Sequence, residues 1–209
     1  MNQITVTRTG HVAEVVFNRP PNNHVSVPLL RELADTLEAL DRDNGCRAIV
    51  LASEGKPFCA GADLGSDTDV TAGPQGAGPL YDQAVRLYAI ETPMVAAIQG
   101  AAVGAGLGLA LVADFRIAAP EARFVANFVS LGFHPGFGLT HTLPRVIGHQ
   151  RAALMFLTGR RIKAEEALEW GLADQVVPAA DLRAAAHALA AEIAAVAPLA
   201  VNATRKTLR

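Results

Sequence analysis

Gly100-Ala101-Ala102-Val103-Gly104-Ala105-Gly106-Leu107-Gly108-Leu109 decides how this chain is read, together with a second stretch, Pro57-Phe58-Cys59-Ala60-Gly61-Ala62-Asp63-Leu64. Each follows an apolar run that reads as a strand, and the first opens an apolar helix. Residues with almost no side chain let another molecule approach the backbone. A loop that feeds a helix start leaves peptide N–H groups free to meet negative charge. Brought together, two such loops hold one carbonyl oxygen between two N–H donors, the arrangement of an oxyanion hole.

The glycine turn excludes other ligands. A dinucleotide loop needs G-x-G-x-x-G after its strand, whereas Gly104, Gly106 and Gly108 alternate and the third position after Gly106 is Leu109. No acidic residue follows at the spacing of a ribose contact, and no Gly-Lys-Ser/Thr marks a P-loop.

Working outward, Ile4–Thr7 and His11–Phe17 read as a hairpin around Thr9-Gly10, and Arg19-Pro20-Pro21-Asn22-Asn23 breaks the pattern. Ser26 reads as the N-cap of a helix to about Asp43, with Leu29, Leu30, Leu33, Leu37 and Leu40 on one face. Arg47–Ala52 reads as a strand buried on both faces. Residues 65–79 read as a mobile loop, followed by a helix from about Leu80 to Ala89 and a strand from Met94 to Ile98. Phe115–Ala118 and Gln175–Val177 read as strands, and residues 181–195 as an alanine-rich helix. Alternating strands and helices imply an α/β fold with mainly parallel pairing.

The chain has 209 residues, 51% hydrophobic and 18% charged, with a formal net charge of −2. This suits a single core and argues against nucleic acid or an anionic membrane as partner. The N-terminus lacks a signal-peptide pattern and the longest apolar run is too short to span a bilayer. With only Cys46 and Cys59, a cytoplasmic protein with reduced thiols is expected.

Beyond these loops, the chain resembles the crotonase (enoyl-CoA hydratase/isomerase) superfamily through Phe17-Asn18-Arg19-Pro20, Leu131–Gly138, Arg145-Val146-Ile147-Gly148, Leu157–Arg160 and Ala167–Ala173. The resemblance implies a spiral of repeated ββα units, with residues 1–177 as the core. It also implies that residues 178–209 begin a C-terminal helical region used in trimerisation, its terminal helices expected to be cut short. It further implies an acyl-CoA or enoyl-CoA thioester as partner, a place in fatty-acid metabolism, and a homotrimer or dimer of trimers. No permanently bound cofactor is expected, coenzyme A entering as part of the substrate, and no metal.

Carried over by position, the oxyanion donors are the N–H groups of Ala62 and Ala105. The coenzyme and acyl group are expected against Asn23, His24, Ala60, Ala62, Asp63, Leu64, Gly104 and Phe128. The positions of the two glutamates that add water in the family hold Gly108 and Phe128, and that of a family dehalogenase's aspartate holds Gly136. Standard two-glutamate hydration is therefore not expected, since a positioned acid or base contributes roughly 10²–10⁴-fold. Two readings follow. One is an enoyl-CoA hydratase/isomerase-like lyase or isomerase with a non-standard acid–base residue, for which His134 is the candidate. The other is a non-catalytic acyl-CoA carrier.

Overall fold

The computed structural model describes residues 3–62 and 78–209. Its main sheet has six strands in the order β1-β2-β3-β4-β6-β9. These are β1 (Ile4–Thr9), β2 (Val12–Phe17), β3 (Ala48–Ser53), β4 (Met94–Ile98), β6 (Phe115–Ala118) and β9 (Gln175–Val176). Within this sheet the β1–β2 hairpin is antiparallel and every later pair is parallel. A smaller sheet joins β5 (Ala101–Val103), β7 (Arg123–Val125) and β8 (Arg161–Lys163).

The chain repeats one step without repeating its sequence. A long strand in the main sheet is followed by a short extended piece at the smaller sheet and then by a helix. After β2 comes the Val25 bridge and α1 (Val27–Asp41). After β3 come the bridging residues Cys59 and Ala62, and later α2 (Gly78–Ala89). Then β4 leads to β5 and α3 (Ala105–Ala110), and β6 leads to β7, a 3₁₀ turn over Asn127–Leu131 and α4 (Leu139–Ile147). This is the ββα spiral expected from the sequence. The chain continues through α5 (His149–Thr158), α6 (Ala164–Trp170), α7 (Leu182–Ala194) and α8 (Pro198–Leu208).

Strand β3 shows why apolar runs define the fold. All six of its residues are buried. Ile49 and Leu51 join the core under α1, α2 and α3, while Ala48, Val50 and Ala52 meet Leu182, Ala186 and Ala190 of α7 on the opposite face. Small residues on both partners let α7 lie close to the sheet, so its alanine-rich composition is a packing requirement. Ser26 caps α1 by accepting from the Leu29 N–H at 3.3 Å, and the helix ends at Asp41, two residues before the expected limit. No single helix among the described residues is long and apolar enough to cross a membrane.

Candidate functional site

The two decisive loops lie side by side. Cys59 N–H donates to Ala101 O and Val103 N–H to Cys59 O, each at 2.9 Å, and Cys59 pairs with Ala102 in a parallel bridge. Past this bridge both loops turn at glycines that no β-carbon can replace without strain. Gly61 has φ +90°, and a β-carbon there would stand 2.8 Å from Val103 O and 3.9 Å from Ala105 N. Gly104 has φ 54° and ψ −117°, and its N–H is held by Val125 O at 2.8 Å. The next residues, Ala62 and Ala105, therefore sit on adjoining backbone. Among the described residues no acceptor is recorded for the N–H of either, and the Ala105 donor belongs to the first turn of α3, where helices leave N–H groups unmatched.

Aromatic rings surround these loops. A β-carbon on Gly108, one turn along α3 from Ala105, would come within 2.5 Å of the Phe137 ring. Phe137 is itself buried, adopts φ 56°, and meets Tyr88 edge-on with ring centroids 6.3 Å apart. The Tyr88 hydroxyl donates to Gly108 O at 3.0 Å, and burial pushes its pKa up to about 12. A β-carbon on Gly136 would stand 2.0 Å from the Tyr81 hydroxyl, whose pKa burial also raises. Phe128 lies 3.7 Å from a β-carbon built on Gly104. Positions 108 and 136 thus lack side chains because rings from elsewhere in the chain occupy that space. A sequence reading that treats glycine as a missing group cannot see Tyr81, Tyr88 or Phe137 arriving to fill it.

The other residues singled out from the sequence fall into three groups. Asn23 is buried, at φ 52°, and its side chain is spent on the protein. It accepts from Arg19 N–H at 2.9 Å and donates to Glu54 O at 2.6 Å and Pro57 O at 3.0 Å. The side chain thus builds the loop that carries His24. His24 is half-buried with Nδ1 3.2 Å from Gly61 O, and Ala60 N–H donates to Asn22 O at 3.1 Å. Both therefore stand at the Gly61–Ala62 loop.

His134 is exposed and lines a separate cavity of about 420 Å³ with Phe133, Pro144, His149, Phe156 and Leu157. Neither Ala62, Gly104, Ala105 nor Phe128 lines that cavity. A turn rich in glycine and proline does not disclose in sequence which side its histidine faces. Cys59 is fully buried, and burial pushes its thiol up to about 12, so it supplies no thiolate near neutral pH. Asp63 and Leu64, with Asp67 and Asp69, lie outside the described residues.

Comparison with known proteins matches the sequence and fold of the chain to one family. The sequence profile described as enoyl-CoA hydratase/isomerase matches residues 7–209. The short-chain-enoyl-CoA hydratase of Clostridium acetobutylicum is 34% identical over 212 residues, covering 100% of this chain and 81% of that protein. The 4-chlorobenzoyl coenzyme A dehalogenase-2 of an Arthrobacter species is 37% identical over 204 residues, covering 93% and 73%. The crystal structure of an enoyl-CoA hydratase from Bacillus anthracis superposes with a TM-score of 0.92 at 36% identity, covering 98% of this chain and 81% of that one.

Proposed function

Since this chain belongs to the enoyl-CoA hydratase/isomerase family, we propose that it binds an acyl-CoA or enoyl-CoA thioester and polarises the thioester carbonyl with the N–H groups of Ala62 and Ala105. A thioester moving towards an enolate or tetrahedral oxyanion gains most from donors already aimed at the growing charge. One such donor is worth about 2.7–4 kcal/mol of barrier. Both donors are main-chain groups, so the identity of residue 105 does not matter to them.

The observation that carries this reading is the exchange of carboxylates for rings. At 108, 128 and 136, where the resemblance places family carboxylates, the chain has two glycines and Phe128, and Phe137 and Tyr81 pack over the glycines. A site so lined is apolar and suits an acyl chain better than an ordered water nucleophile. The function is therefore thioester binding and carbonyl polarisation without two-glutamate hydration. The same rings favour the carrier reading, in which the pocket persists and the chemistry is lost.

We further propose that the coenzyme runs along the His24 and Ala60–Ala62 segments, that residues 178–209 belong to an assembly region, and that the protein is a cytoplasmic homotrimer or dimer of trimers. Exposed Leu157, Val196, Leu199 and Leu208 supply apolar surface for such contacts.

Calorimetric titration with a medium-chain enoyl-CoA, followed by mass spectrometry of the recovered ligand, tests the reading. The expected result is binding with no gain of water. Thioester cleavage or a mass-neutral double-bond shift would identify an enzyme, and unchanged ligand a carrier. Efficient hydration, or no binding, contradicts the proposal.

A further inference from the structure

The peptide unit between Gly61 and Ala62 has two ends. Because a trans peptide is planar, its C=O and N–H point in opposite directions. If the Ala62 N–H faces a thioester, the Gly61 carbonyl faces away, and the structure shows what holds it there. The Val25 N–H donates to Gly61 O at 2.9 Å, and the imidazole Nδ1 of His24 stands 3.2 Å from the same oxygen. A carbonyl oxygen only accepts, so this contact requires the proton on Nδ1.

The segment carrying His24 is fixed from several sides. Arg19 Nη1 donates to the His24 carbonyl at 2.9 Å, and Asn23 anchors the preceding residue through Arg19, Glu54 and Pro57. The left-handed backbone of Asn23 (φ 52°) delivers His24 to the rear of the Gly61–Ala62 loop. The loop itself is tied down through Cys59, whose N–H donates to Ala101 O and whose carbonyl accepts from the Val103 N–H, each at 2.9 Å.

We propose that His24 is a positioning residue for the thioester site, acting through the Gly61–Ala62 peptide. This rests on the assignment of the Ala62 N–H as a carbonyl donor. The imidazole does two things. It fixes the rotation of the peptide plane, and so the direction of the N–H. Donation to the carbonyl also draws charge through the amide, which makes the N–H on the other side a stronger donor, as in any hydrogen-bonded chain. Donor strength at Ala62 thereby depends on a side chain that need not touch the reacting atoms. His24 replaces nothing the glutamates did; it sharpens the group that remains.

The test uses a chromophoric acyl-CoA, a cinnamoyl thioester with an electron-donating ring substituent, whose absorbance moves to longer wavelength when its carbonyl is polarised. His24→Leu keeps bulk and removes the donor; His24→Asn can place an amide N–H where Nδ1 stood. The expected result is a red shift in the parent, a smaller shift per bound ligand in His24→Leu, and recovery in His24→Asn, each read at matched occupancy. An undiminished shift in His24→Leu overturns the proposal and leaves the Ala62 assignment standing. So does a loss of CoA affinity with the shift per bound ligand intact, which would make His24 a coenzyme contact and nothing more. An equal loss in both variants overturns it too, since the donor would not be what matters. If the parent fails to bind the thioester, or binds it without a shift, the Ala62 assignment fails and this inference with it.

Discussion

The loops around Ala62 and Ala105 and the docking of the last helix use opposite means to hold backbone in place. At the loops, glycines, main-chain hydrogen bonds and aromatic rings do the positioning. At the C-terminal end, charge does it. Asp114 receives Arg205 Nε through both oxygens at 2.7 and 2.8 Å, a contact from Arg209 at 3.4 Å, and the N–H of Met94 at 2.8 Å. Arg205 is 8% exposed and also donates to Ile90 O, so α8 is fastened to the sheet through a buried ion cluster. The cluster depends on particular charged side chains; the loops depend on shape. A site that presents bare N–H groups, as proposed for these loops, gains from having few competing charges beside it, because fixed dipoles act strongly where water is excluded.

Substitutions can break this contrast, and the largest effect is expected at the charged end. Asp114→Ala leaves the buried Arg205 guanidinium without its carboxylate, and loss of one partner of a buried pair costs about 3–5 kcal/mol. Chemical denaturation should show that loss, and limited proteolysis should cut first within α8. A protein that unfolds as the parent does would mean that α8 docks through its apolar contacts alone.

Overpacking ranks next. Gly108→Ala drives a β-carbon into the Phe137 ring, 2.5 Å away in the present geometry, and should cost about 1–3 kcal/mol. Adding Phe137→Ala should give back part of that cost, because two residues in contact do not act additively. Strictly additive losses would show that the ring does not fill the glycine's space. Gly108→Glu alone should confer no hydratase activity, since the carboxylate would displace the ring without finding a water site.

A smaller loss is expected for Gly61→Ala, which places a β-carbon at φ +90° and 2.8 Å from Val103 O. Such backbone strain costs about 1–3 kcal/mol, and local relaxation of the loop lowers it. The functional effect should exceed the stability effect, with thioester affinity falling more than thermal stability implies. Proportionate losses would mark Gly61 as a structural turn only.

The smallest effect is a pH dependence. Burial raises the Glu14 carboxyl pKa, but hydrogen bonds and charge from Arg183 and His187 outweigh it, and the net shift is below the ordinary 4.5. A carboxyl depressed by folding stabilises the native state above its unfolded pKa. That contribution is lost as pH falls below about 4.5 and through the lower folded value. Glu14→Gln should flatten this part of the stability profile between neutral and acid pH, while leaving thioester binding unchanged. An unchanged acid profile would show that the pair of β2 and α7 contributes nothing measurable.

Much of the scaffold was legible because local chemistry and tertiary fold agree. Ser26 caps α1 and the leucine stripe packs inward, the apolar run at β3 is buried on both faces, and Gly100–Leu109 enters a strand, a turn and a helix. Splitting of the strands into two sheets was not readable from periodicity, since β5, β7 and β8 have three residues each. At the site, the sequence pointed to the two loops that the structure sets side by side, and said less about the side chains around them. Asn23 was expected at the coenzyme only through the family resemblance; its left-handed φ turns it inward, where its side chain bonds the protein. His134 was singled out as an imidazole in the Gly132–Gly136 turn able to serve as acid or base; it lines a cavity with Phe133, His149 and Phe156. Tyr81 and Phe137 were invisible as partners of Gly136 and Gly108, because a glycine records missing volume and not what occupies it.

The central claim is that two main-chain N–H groups hold the thioester carbonyl. A fatty acyl-CoA labelled with ¹³C at the thioester carbon, followed by NMR as protein is added, tests it most directly. The account predicts a downfield displacement of the carbonyl resonance in the bound state, reduced in Gly61→Ala at matched occupancy. Saturable binding with the carbonyl resonance left at its free position would contradict it.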